Sequence, residues 1–180
     1  MRPETEVTCD CGRVALQLEG QPIISTECHC TSCREAGEYL QSLSATAAPL
    51  LNDQGATQLV LYRKDRVRCE RGADALREYR LSADAKTRRV VATCCNSAMF
   101  LDFTPGHWLS LYGQRWPLAT LPPVEMRTMT RDRCEGVALP GDVPNAETHS
   151  FRFFVKLIGA WAAMGFRTPE ITFVNGALDA

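Results

Sequence analysis

The chain has 180 residues, 45% of them hydrophobic and 23% charged, with a formal net charge of −1 at neutral pH. That length suits one domain able to bury its own core, and the near-zero charge leaves no electrostatic case for nucleic acid or an anionic membrane as partner. No run of about 18 apolar residues occurs, so no membrane span is expected.

The start, Met1-Arg2-Pro3-Glu4-Thr5-Glu6, lacks the apolar segment of a signal peptide. Cytoplasmic localisation is the expectation, and clustered thiols in a reducing compartment point to metal rather than to disulfides. An odd total of nine cysteines agrees.

From Val7 the chain carries Cys9 and Cys11, then alternates through Val14-Ala15-Leu16-Gln17-Leu18, the period of a half-buried strand. Gly20-Gln21-Pro22 is turn chemistry, and Ile23 to Glu27 reads as a strand running into Cys28-His29-Cys30-Thr31-Ser32-Cys33-Arg34. Glu35 to Leu51 mixes helix formers with small residues (Ala36, Ala45, Ala47, Ala48) before Pro49, giving one or two short helices or a loop. Strands are expected over Thr57 to Arg63, Arg66 to Glu70, Leu76 to Leu81, Arg88 to Thr93 and Met99 to Phe103, with a turn at Arg71 to Asp74. Their spacing predicts a mainly β fold, an antiparallel sheet or open barrel.

Pro117 to Gly141 is proline-rich and without period, and it reads as a linker or long arm. Beyond it Phe151, Phe154, Val155, Ile158, Trp161 and Ala162 recur at helical spacing, with Arg152 and Lys156 opposite. Thr148 or Ser150 would cap this amphipathic helix and Gly165 would end it. The expected division is a zinc domain over residues 1–116, with 117–180 as arm and helix. That helix packs on the domain or on a second subunit, the latter giving a homo-oligomer.

Seven of the nine cysteines fall in three tight groups: Cys9 and Cys11; Cys28, Cys30 and Cys33; Cys94 and Cys95. Thiolates one to three residues apart can converge on one tetrahedral ion. The natural division gives the triad one zinc with an open position and the other four cysteines a second, closed zinc. The alternative is that every cluster is structural and supplies folding energy. Around the triad, His29 sits between two ligands with its ring turned away, and Arg34 either steadies a thiolate or pairs with a carboxylate. His107 and His149 read as surface or capping residues, and Cys134 as an isolated small apolar side chain.

Cys-x-Cys-Gly, then Cys-His-Cys-x-x-Cys-Arg, then a late cysteine group resembles the glutathione-dependent formaldehyde-activating enzyme family, which includes centromere protein V. The resemblance covers roughly residues 7 to 103. It implies a zinc-bearing β-tent fold of antiparallel sheets with short helices. It also implies Cys9 and Cys11 at a structural zinc and the Cys28, Cys30, Cys33 triad at an active-site zinc. Carbon–sulfur lyase chemistry on a thiol–aldehyde adduct follows, with glutathione as the thiol and formaldehyde as the aldehyde. The competing function is a non-catalytic zinc domain serving as a binding or assembly module.

One departure stands out. Where the family has Cys-x-x-Cys-Gly-Ser, this chain has Ala92-Thr93-Cys94-Cys95-Asn96-Ser97. Cys95 then occupies the second cysteine's place, and Cys94, Cys69 or a water completes the site, or the two ions merge into one. Asn96 can stand for glycine because asparagine accepts left-handed backbone angles.

Overall fold

The computed structural model describes residues 4–43 and 48–178, so Ala45 and Ala47 of the mixed segment lie outside the described residues. Strands β1 (Glu4–Thr8), β2 (Ala15–Glu19) and β5 (Val67–Arg71) form a three-stranded antiparallel sheet. The remaining strands are β3 (Ile24–Cys28), β4 (Thr57–Arg63), β6 (Leu76–Tyr79), β7 (Thr87–Ala92), β8 (Ser97–Phe103), β9 (Trp108–Tyr112) and β10 (Met126–Thr128). They build a seven-stranded sheet in the order β10-β3-β4-β9-β8-β7-β6. Two α-helices, α1 (Thr31–Ser42) and α2 (Phe151–Ala162), complete the described residues. The fold is mainly β, as the strand spacing predicts.

Alternation along β4 divides the molecule. Val60 and Tyr62 face the three-stranded sheet, where they join Val7, Leu16, Leu18 and Val67 in one core. Leu59 and Leu61 face the other way, into a second core with Cys33 and Leu40 of α1 and Phe153 and Leu157 of α2. A period of two on a two-sided sheet gives two apolar faces, one roofed by strands and one by helices.

Several expectations are corrected. β1 and β10 carry no strong strand signal of their own and exist through their partners. By contrast β9, Trp108-Leu109-Ser110-Leu111-Tyr112, carries the aromatic residues and alternation of a strand and is missing from the expected set. β10 lies inside the proline-rich arm and pairs parallel to β3, Met126 opposite Thr26, so the large sheet is not wholly antiparallel. Helix α1 begins four residues before the mixed segment, at Thr31. His107 is not a surface residue: it is 7% exposed, its Nε2 donates to Leu157 O at 2.9 Å, and its ring stacks on Trp161. Helix α2 is capped by Ser150, whose hydroxyl accepts from Phe153 N.

Candidate metal centres and the adjoining cavity

The β1–β2 turn and the β7–β8 turn meet at one end of the two sheets. Cys9 and Cys11 come from the first, Cys94 and Cys95 from the second, and their four sulfurs lie within 4.8 Å of one another. Cys9 Sγ is 3.6 Å from Cys11 Sγ and 3.7 Å from Cys94 Sγ, with Cys11 to Cys94 at 3.4 Å and Cys94 to Cys95 at 3.9 Å. In a tetrahedron with Zn–S bonds of about 2.3 Å the sulfurs stand about 3.8 Å apart, so these spacings fit one four-coordinate ion. Neighbouring cysteines share the cluster because the turn places Asn96 at φ +56, the left-handed conformation asparagine tolerates. The Asn96 side chain fixes that turn by donating to Leu43 O at 2.7 Å. Cys69 stays outside, its thiol donating to Arg71 O.

Polar groups around the four sulfurs hold them in place. Val14 N donates to Cys9 Sγ at 3.2 Å, and Ser97 Oγ lies 3.1 Å from Cys95 Sγ. Ser97 also donates to Asp10, which is paired with the buried Arg115 at 3.0 Å. Burial pushes the Cys9 and Cys94 thiols up. Cys95 is also lifted by burial, but Ser97 and the neighbouring sulfurs outweigh that and bring it down to about 7.

The triad forms where β3 runs into α1. Cys28 ends the strand, Cys30 is the helix N-cap, and Cys33 lies in the first turn. Cys30 Sγ accepts from Cys33 N at 3.3 Å and lies 3.3 Å from Ser32 Oγ. A helix N-terminus favours negative charge. The Cys28 and Cys33 thiols both donate to Cys30 and, with smaller contributions from Ser32 and Cys33 N, pull it down to about 2. The same bond raises Cys28 to about 11, and Cys33 is held well above the usual thiol range by Cys28, Cys30 and burial. A divalent cation at the three sulfurs would hold all three as thiolates. The three sulfurs lie within 4.8 Å of one another with no fourth donor among the described residues. The donor set fits an ion with one position left open.

The tail supports this site. His29 N donates to Thr128 O, extending the β3–β10 pairing past Cys28. Arg127 on β10 bridges Glu27 at 2.7 Å and Asp142 at 2.8 Å. The buried Arg89 reaches Ser32 O at 2.9 Å. Arg34 settles on Asp132 O rather than on a thiolate or carboxylate. The His29 ring is buried with neither nitrogen hydrogen-bonded, and burial holds it below its ordinary pKa.

Cys28 also lines a cavity of about 330 Å³ between the sheet and α2. His149 is exposed, as expected of a surface residue, and its ring edges the same cavity while packing on Phe153 at 4.6 Å. Burial depresses its pKa, while the charge on Cys30 pulls the other way. Nothing in the sequence around His149 marks this place. It follows from α2 folding back over the triad.

A family model described as glutathione-dependent formaldehyde-activating enzyme matches residues 4–110. A crystal structure of a Rhodobacter sphaeroides protein is similar at 17% identity and a TM-score of 0.46, over 78% of this chain and 99% of that one. No curated protein matches the chain.

Proposed function

Since the chain belongs to the glutathione-dependent formaldehyde-activating enzyme family, we propose that it is a carbon–sulfur lyase. In this reading it joins or cleaves a thiol and an aldehyde at a zinc held by Cys28, Cys30 and Cys33. A second zinc on Cys9, Cys11, Cys94 and Cys95 would be structural. The observation that carries this reading is a three-sulfur cluster, one of its members at a helix N-terminus, opening onto a cavity. Zinc at the triad would supply Lewis-acid polarisation and lower the pKa of a substrate thiol.

In the forming direction the substrate sulfur bonds to the carbonyl carbon, and the thiol proton ends on the carbonyl oxygen. Cleavage is the reverse, and no oxidant or reductant is needed. His149 is the cavity's imidazole and suits the task of holding that proton. The hydroxyls of Thr26, Ser110 and Thr128 offer hydrogen bonds to the oxygen. The nine unpaired cysteines suit a reducing compartment such as the cytoplasm.

The test is zinc content per chain, with adduct formation from glutathione and carbon-13 formaldehyde followed by NMR. Two zinc ions are expected in the wild type and one in Cys30→Ala. The variant should keep its far-UV circular dichroism and lose adduct turnover by about 10²-fold or more. An inactive wild type, or a variant that retains activity, would remove the enzyme reading.

One observation favours a second reading, a non-catalytic assembly module. Phe151, Val155 and Ile158 on the outer face of α2 are between 49% and 85% exposed. Light scattering after size exclusion decides it: a dimer that an Ile158→Glu change dissociates supports assembly through this helix, and a monomer at all concentrations removes it.

A further inference from the structure

The cavity beside Cys28 differs in character from the thiol that gives the family its name. Glutathione carries two carboxylates and an ammonium, yet no Asp, Glu, Lys or Arg side chain lines this space. Leu59, Leu61 and Leu101 form its floor, Trp108 a wall, and Phe153 and Leu157 of α2 its roof. Its polar lining is limited to hydroxyls, the Cys28 thiol and the His149 ring. Placing an unpaired carboxylate in such surroundings costs several kcal/mol, so charged groups stay out. The roof comes from residues 151–162, beyond the matched span of 4–110.

We propose that this cavity binds an uncharged apolar group, an aryl or branched aliphatic aldehyde or the same group carried on a thiol, and that helix α2 sets the preference. The proposal rests on the thiol–aldehyde reading and narrows its substrate class. Size agrees. An apolar cavity of about 150 Å³ holds benzene, so about 330 Å³ takes a group of roughly twice that bulk, such as a substituted benzyl. The reacting carbon would lie at the Cys28 end, with the His149 ring also on the cavity wall.

The test is calorimetric titration of the full-length protein with 4-isopropylbenzyl alcohol, an unreactive relative of the aldehyde. Saturable one-site binding is expected, undisturbed by an equal concentration of glutathione. Leu101→Trp fills the cavity from the sheet and should weaken binding about ten-fold or more, with zinc content unchanged. Thr87→Trp fills it from the half-buried rim and serves the same purpose should the core variant fail to fold. Absence of binding, or binding that neither folded variant weakens, overturns the proposal.

A parallel assay separates it from the reading beneath it. Turnover of glutathione and formaldehyde with no alcohol binding would overturn the apolar pocket and leave the lyase standing. Alcohol binding that both Trp variants weaken, in a protein that forms no thiol–aldehyde adduct of any kind, would overturn the lyase and uphold the pocket as an apolar binding site.

Discussion

At the scale of single residues, the sharpest assignment concerns which cysteines belong together. Cys94 and Cys95 both reach the sulfurs of Cys9 and Cys11, whereas the Cys69 thiol is spent on Arg71 O. Cys94→Ser is therefore expected to lower metal content by up to one ion per chain and to depress the melting temperature, and Cys69→Ser to change neither. Elemental analysis beside thermal denaturation reads both outcomes. An equal effect of the two substitutions would contradict the grouping. The cysteine groups were plain in the sequence because thiols so closely spaced have few uses other than metal. The choice of Cys94 over Cys69 was not, because it depends on one backbone angle at Asn96 and on a hydrogen bond to a residue over fifty positions away. His149 reads as a surface residue and is one, resting its ring on Phe153 and Phe154 just after it in the chain. Only its place at the rim of the cavity that Cys28 lines depends on distant residues.

Among the elements, α2 joins the sheet through few contacts of high quality. Phe153 and Leu157 are 7% and 4% exposed, and Leu157 O accepts from His107. Truncation by Leu157→Ala should cost about 2–5 kcal/mol, measured by denaturant titration. His107 makes the docking sensitive to acid. Its folded-state pKa lies below the ordinary value because burial, seconded by Lys64 and Arg63, disfavours the imidazolium despite the bond to Leu157. A base depressed on folding contributes stability that is present above its unfolded value of about 6.5 and lost as pH falls from there. Melting temperature should thus drop between pH 7.5 and pH 5.5, and His107→Gln should flatten that drop. A wild-type profile no steeper than the variant's would refute it.

The same elements show where pattern reading works. The extents of β4, β7 and α2 are visible within a residue or two because each carries its own periodicity and, for α2, its own cap in Ser150. But the α2 face that the periodicity marks for packing (Phe151, Phe154, Val155, Ile158) is exposed, and Phe153 and Leu157 dock on the sheet instead. β10 has only three residues and is a strand because β3 offers an unpaired edge. Helix α1 started early because a cysteine does the capping, a role that composition assigns to Ser, Thr, Asp or Asn.

Considered as a whole molecule, the protein has a four-sulfur cluster that fastens a turn of the small sheet to a turn of the large one. Metal there would join the two layers at an end where the apolar core gives out. Removing it with a strong chelator should lower the melting temperature by about 10 °C or more, and added zinc should restore it. Calorimetry before and after dialysis measures this, and an unchanged melting temperature would show that the cluster holds nothing the fold depends on. The tail is fastened as well. Ala177 bridges Glu78, Arg88 donates to Ile171 O at 3.0 Å, and Asn175 N donates to Leu76 O.

The parallel pairing of β10 with β3 has a consequence for how the chain is made. Its partners, such as Glu27 and Arg127, are 100 positions apart, and loops of that span close late. As synthesis proceeds from the N-terminus, β3 waits with bare amides and carbonyls along one side, and the wall of the future cavity stands open to water. Such an edge invites pairing with another chain. A nascent or truncated product ending near residue 116 would therefore be the sticky form of this protein, and β10 in the last third of the sequence is what covers that edge.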